Sequence, residues 1–206
     1  MKALHLLGPT GAGKSPLGQA LEKEGLYGHR ALHFDFGAEL RRVAAGEGPP
    51  EIGPEEVEFV RRVLAEGLLL EDEHFPLAEK ILRAFLWRKQ AREKDLLILN
   101  GLPRHLGQAR DVLRLLDLRV AVELRVDEKT LWFRLRKDPA GDRKGRPDDT
   151  PELVARKLSW YRERTRPLLE FYLQQGIPVF HLPVGPEDTG LKLLQKLRAL
   201  LAENLF

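Results

Sequence analysis

The 206-residue sequence has no cysteine, which excludes disulfides and thiolate metal sites. Of its six histidines only His29 and His33 lie four apart. They straddle the start of an expected strand rather than share a helix face, so no structural zinc site is expected. Methionine occurs only at Met1 and asparagine only at Asn100 and Asn204. That scarcity of thermolabile residues, beside abundant Arg and Glu, gives a thermophile-like composition. No apolar run approaches the roughly 20 residues that cross a bilayer, so no membrane partner is expected. Met1-Lys2-Ala3-Leu4-His5 runs straight into an apolar stretch and leaves no room for a signal peptide, which implies a cytoplasmic protein. Charge of one sign is also lacking. With 34 Lys and Arg against 31 Asp and Glu, the net charge is +3. That mild excess, without a basic and aromatic surface pattern, counts against nucleic acid as a partner. Repeats and low-complexity tracts are missing as well, and the length suits one domain over residues 1–206.

What is present is concentrated near the start. Gly8-Pro9-Thr10-Gly11-Ala12-Gly13-Lys14-Ser15 satisfies G-x-x-x-x-G-K-[ST] without a mismatch. It follows the apolar run Ala3 to Leu7, read as a buried strand, and precedes helical spacing at Leu17, Ala20 and Leu21. A strand before and a helix after are the context a phosphate-binding P-loop requires. Gly8, Gly11, Ala12 and Gly13 let successive N–H groups converge on an anion at a helix N-terminus. Lys14 would reach the β- and γ-phosphates, the Ser15 hydroxyl would ligate Mg²⁺, and Pro16 lies in the first turn behind them.

Further along, Arg30 to Asp35, Leu96 to Leu99, Val120 to Val126 and Ile177 to Phe180 read as four more short strands. Pro178 puts the last of them at a strand end or sheet edge. Helices are expected from Gly37 to Val43, from Pro54, from His74 to Arg92, from about Asp127, and from Pro186 with Leu193, Leu194, Leu197, Leu200 and Leu201 inward. Another begins at Thr150-Pro151-Glu152, with a hydroxyl N-cap, an N1 proline and a stripe of Leu153, Leu158, Tyr161, Leu168 and Tyr172. Pro167 should kink it. Trp87, Trp132 and Trp160 are read as helix packing rather than base-stacking platforms. Asp138 to Asp149 is charged, rich in Gly and Pro, and expected to be a mobile loop. Five apolar runs alternating with helices define an α/β class: a five-stranded parallel sheet with helices on both faces. Asp35, at the end of the second strand, admits two readings: a surface or N-cap aspartate, or a base or metal carboxylate.

Four spaced motifs carry a family resemblance. Asn100-Gly101-Leu102-Pro103-Arg104 with Gln108-Ala109, Gly145-Arg146-Pro147-Asp148-Asp149, and Tyr161, Thr165, Pro167-Leu168 and Tyr172 join the P-loop in order. Together they resemble the adenylate kinases among the P-loop nucleoside monophosphate kinases. The resemblance implies the P-loop kinase fold with a short lid near 138–149 and a helical acceptor-binding insertion near 36–75. It also implies transfer of a phosphoryl group from ATP to a nucleoside monophosphate, with Mg²⁺, in a protein expected to be a monomer. The residues it implies for catalysis are Lys14, Arg104, Arg134 and Arg146. Gly37, Arg41, Gly101, Arg104 and Gln108 fall at the acceptor monophosphate, and Arg134 over the donor adenine. An arginine fork suits phosphate oxygens better than lysine does.

The chain departs from that pattern at several points. Asn100 stands where the resemblance has a strand-end aspartate, and Phe36 and Ala38 replace a small residue and an aspartate. Lys157 takes an arginine position, and Asp138 another. These departures keep other readings open: a P-loop kinase with a small alcohol acceptor, a nucleotide-binding regulator without turnover, and a nucleic-acid modifier. Asp35 could replace the charge missing at Asn100.

Overall fold

A computed structural model of the chain describes residues 1–141 and 150–206. Five strands form the sheet among these residues: β1 (Lys2–Leu7), β2 (Ala31–Asp35), β3 (Leu96–Asn100), β4 (Asp117–Arg125) and β5 (Val179–Pro183). All pairings are parallel, in the order β2-β3-β1-β4-β5. The helices are α1 (Lys14–Glu24), α2 (Phe36–Ala44), α3 (Pro54–Glu66), α4 (Phe75–Arg88), α5 (Leu106–Leu115), α6 (Glu128–Lys137), α7 (Pro151–Trp160), α8 (Leu168–Gln174) and α9 (Gly190–Leu200).

The inner strands are mostly apolar because they are buried on both faces. Leu4, Leu6, Leu96, Ile98, Val120 and Val122 meet α1 and α9 through Leu17, Leu21, Leu194 and Leu197. Their alternates Ala3, Leu7, Leu97, Leu99 and Ala121 face the opposite layer, where Ile81, Phe85, Val112, Leu168 and Tyr172 pack. Period-two side-chain direction therefore fills two cores from one sheet. β1 sends its chain over α1 to β2, whereas β3 sends its chain across to β4. The resulting crevice opens above the carboxyl ends of β1 and β3, where open α/β sheets bind ligands.

Several expected boundaries move. The last helix begins at Gly190, where the Thr189 hydroxyl accepts from Lys192 N at 3.4 Å; Pro186 lies in the turn before it. The helix expected from His74 ends at Arg88, and His74 itself closes a 3₁₀ turn, Asp72–His74. β4 starts three residues early, at Asp117, immediately behind α5, whose Ala109 and Val112 are its buried face. Pro167 does more than kink one helix. It has no N–H to give the preceding turn, and a π-helical turn, Tyr161–Thr165, separates α7 from α8, with Arg166 N donating to Tyr161 O at 2.8 Å. Leu153 and Leu158 are only half-buried, and Val154 holds the inward position. Trp87 overturns the packing expectation: it is 84% exposed on α4. β5 is an edge strand bounded by Pro178 and Pro183, in keeping with its proline.

Candidate active site

The turn from β1 into α1 is shaped by positive φ at Gly11 and Gly13, 86° and 100°. Side chains rarely adopt those angles, and space forbids them too. A Cβ on Gly11 would come within 2.7 Å of Leu135, and one on Gly13 within 2.9 Å of the Arg134 guanidinium. Lys14 Nζ donates back to Gly8 O at 2.7 Å and Pro9 O at 2.9 Å, drawing the loop around its own ammonium.

Beneath the loop the ends of β2 and β3 and the first turn of α1 supply a polar cluster. Ser15 Oγ donates to Asp35 Oδ2 at 2.6 Å, and Asn100 Nδ2 donates to Asp35 Oδ2 at 3.0 Å and to Ser15 Oγ at 3.1 Å. The β2–β3 register places Asp35 directly opposite Asn100. Asp35 Oδ1 also accepts from Ala38 N at 3.0 Å, capping α2. Asp35 is therefore the N-cap that one sequence reading expected, and it also touches the P-loop hydroxyl. His33 is buried beside this cluster, with Nε2 3.3 Å from Asn100 Nδ2. Burial pushes its pKa down against the opposing pull of Asp35 and Glu22.

One cleft runs from the P-loop to α2 and α3. Gly8, Gly11, Gly13, Lys14, Ser15, Asp35, Gly37, Arg41, Gly101, Arg104, Gln108 and Arg134 all line it. Ala12 and Pro16 do not: both are buried under the loop. Arg146 lies outside the described residues. Methyl groups built on Gly37 and Gly101 would sit 3.6 Å from Arg41 Nη1 and 3.7 Å from Arg104 Nη2, so each guanidinium passes closely over a bare backbone.

Two residues have more structural work than their motifs suggested. Arg134 is 3% exposed and donates to the carbonyls of Gly11 (3.1 Å), Gly185 (3.0 Å), Pro186 (3.4 Å) and Asp188 (2.9 Å). It ties the P-loop to the turn before α9. Gln108 is buried, with Oε1 accepting from Arg104 N at 2.8 Å and Nε2 donating to Leu70 O at 2.8 Å. Its amide thus positions the Arg104 backbone and the strap after α3. The His105 ring reaches the same Leu70 carbonyl at 2.8 Å, and Arg164 binds Glu71 through both guanidinium ends at 3.1 and 2.7 Å.

Some of the cleft was hidden from sequence reasoning. Leu40, Val63, Leu64, Leu68, Leu69 and Trp160 form apolar lining that pattern reading assigns to ordinary helix packing. Glu123 is a buried carboxylate near the end of β4. It accepts from Tyr161 Oη at 2.8 Å and Arg125 Nε at 2.9 Å, with His181 Nδ1 at 2.8 Å. Burial would raise its pKa, but the Arg125 and Tyr161 hydrogen bonds outweigh that and hold it low. Only Tyr161, through its motif, signalled that centre.

No protein-family model matches the chain. Curated relatives do. The adenylate kinase of Prochlorococcus marinus (strain MIT 9211) is 32% identical over 182 residues, which cover 85% of this chain and 86% of that protein. The chain belongs to the adenylate kinase family. Adenylate kinases of Nitrobacter hamburgensis, 34% identical over 84% of this chain and 80% of that one, and of Caulobacter vibrioides, 32% identical over 84% of each, agree. The parallel sheet with its P-loop at the end of β1 is the fold the motifs implied for an adenylate kinase. As a family member the chain is a nucleoside monophosphate kinase by class. No helix among the described residues is long and apolar enough to cross a membrane.

Proposed function

We propose that the protein transfers the γ-phosphoryl group of ATP to the phosphate of AMP, giving two ADP. The observation that carries this reading is the cleft itself. A P-loop with its lysine and hydroxyl opens at one end, and Arg41 and Arg104 face the same cleft from α2 and the turn after β3. Such a transfer asks the protein for positioning and charge more than for covalent chemistry. The P-loop N–H groups and Lys14 would hold the donor phosphates, while Arg41 and Arg104, over the bare backbones of Gly37 and Gly101, would fix the acceptor phosphate in line with them. An acceptor oxygen then forms the new P–O bond as the bond from the γ-phosphorus to the β,γ-bridging oxygen breaks, leaving the charge on ADP. Arg134 would support the donor side by holding Gly11, and Arg146 would add a further cation. Gln108 would address the acceptor base once it exchanges one backbone partner.

The donor set suits Mg²⁺. Ser15 Oγ and Asp35 Oδ2 are hard oxygen ligands 2.6 Å apart. Among the described residues no group of three or more His, Cys, Asp or Glu could cage a metal, which fits an ion held mainly by phosphates and water. When bound, Mg²⁺ supplies charge neutralisation on the β- and γ-oxygens. The Asp35 carboxylate already accepts from Ser15, Asn100 and Ala38 N, which favours an orienting role over that of a free base for an alcohol acceptor.

The test is Lys14→Ala in a coupled assay for ADP formed from ATP and AMP. Loss of a preorganised cation of this kind lowers turnover by about 10²–10³ or more. The variant should remain folded. Near-normal turnover would remove the P-loop from the reaction.

A further inference from the structure

We propose that the carboxylate charge beside the P-loop hydroxyl is delivered by Asp35 from the end of β2, and that Asn100 is neutral because it is the hydrogen-bond donor that holds that carboxylate. This rests on the reading of the P-loop as a Mg²⁺-nucleotide site. The two residues are one register pair on adjacent strands. Their side chains meet at 3.0 Å, with the Asn100 amide donating, and both reach Ser15 Oγ, at 2.6 Å from Asp35 and 3.1 Å from Asn100. A carboxylate at position 100 would set one anionic oxygen against another at that distance, in a site where Asn100 is 4% exposed. Like unit charges so close and so poorly solvated repel strongly. It would also remove the Asn100 amide as a donor to Asp35 Oδ2.

The second oxygen of Asp35 fixes the arrangement from the other side. Oδ1 accepts from Ala38 N, so the carboxylate cannot rotate away from Ser15 without uncapping α2. His33 completes the fit. Its Nε2 stands 3.3 Å from the Asn100 amide nitrogen. Asp35 is thus the orienting carboxylate for metal on this chain, and Asn100 is a positioning residue that acts through it.

The pair can be exchanged experimentally. Asp35→Asn removes the charge and keeps the cap, since Asn and Asp are equivalent N-caps. Asn100→Asp adds a second charge, and the double variant Asp35→Asn/Asn100→Asp moves the single charge across the register. Free Mn²⁺ is counted by EPR in titrations of protein saturated with the non-hydrolysable β,γ-imido analogue of ATP. Asp35→Asn should weaken Mn²⁺ binding by about 10–100-fold, the range for groups that orient metal ligands. Asn100→Asp alone should not tighten it. The double variant, in which His33 can donate from one tautomer, should return to within about threefold of wild type, a rescue that a purely structural role for either residue does not provide. Affinity within about twofold of wild type for Asp35→Asn overturns the proposal. So does a double variant no tighter than Asp35→Asn, or tightening by Asn100→Asp alone. A failure of the underlying site looks different: Lys14→Ala and wild type would then bind the nucleotide analogue equally.

Discussion

Replacing Arg134 by Ala should unfold the protein more readily before it alters any nucleotide contact. The guanidinium is 3% exposed and serves four carbonyls, three of them at 3.1 Å or less, on Gly11, Gly185 and Asp188. A hydrogen bond to a charged group contributes about 1.5–3 kcal/mol net, and the bonds of one side chain are not additive. Each carbonyl left buried and unpaired costs about 1–3 kcal/mol, again less than additively. We take about 4 kcal/mol as the expected loss, partly relieved by water entering the space. For a chain of this size each kcal/mol lowers Tm by about 2–4 °C, so a fall of roughly 8–16 °C is expected. Urea titration and calorimetry at neutral pH read it directly. Arg134→Lys should recover only part, since one ammonium cannot span the loop and the turn before α9. A loss below about 1 kcal/mol, with weakened ATP binding as the only defect, would refute the reasoning and make Arg134 a ligand contact alone.

Two further predictions concern the fold beneath the site. His5 is buried against Tyr172, with Nδ1 3.0 Å from the phenol oxygen, and burial, helped by Lys14, pushes its pKa down to about 3. The fold therefore keeps this ring neutral while the unfolded chain takes a proton below about 6.5. The stability it confers is full above that value and is lost as pH falls toward 3, by about 2 kcal/mol at pH 5. Urea titrations at pH 7.5 and 5 should show that loss, and His5→Gln should flatten it; an equal slope in the variant would place the effect elsewhere. Gly190→Ala should destabilise by about 2–3 kcal/mol although alanine favours helix, because its Cβ would meet the Pro16 carbonyl, a backbone atom that cannot step aside. The clash distance is 2.3 Å, where α9 crosses the first turn of α1. An unchanged Tm would mean the two helices separate freely.

Much of the fold was legible because strands buried on both faces must be apolar and short, and glycine and proline mark their ends. The P-loop was legible because its chemistry is local: eight consecutive residues contain the turn, the cation and the hydroxyl. Boundaries set by tertiary packing were less readable. α9 starts at Gly190 behind the Thr189 cap rather than at Pro186, and Arg134, far away in the chain, holds the turn before it through the Gly185, Pro186 and Asp188 carbonyls. The long stripe through Leu153 and Leu158 failed at the π-turn, where one extra residue shifts the helical phase. Trp87 read as packing because an apolar side chain on a helix is normally buried; nothing local reveals that its face of α4 looks outward. At the site, sequence placed Asp35 and Asn100 at two strand ends but could not give their register. The resemblance put Gln108 at the acceptor monophosphate, and only the folded chain reveals the backbone partners of its amide.

The central claim is a kinase that phosphorylates AMP from ATP. The most direct measurement is kcat/KM for ADP-coupled turnover with ATP and AMP, GMP, CMP or UMP in turn. Gln108, freed from one backbone partner, offers an amide donor and acceptor that match adenine and mismatch guanine, and each unpaired buried group costs about 1–3 kcal/mol. AMP should therefore be preferred by roughly 5–150-fold. A preference for CMP or UMP, or turnover with none of the four, would contradict the account.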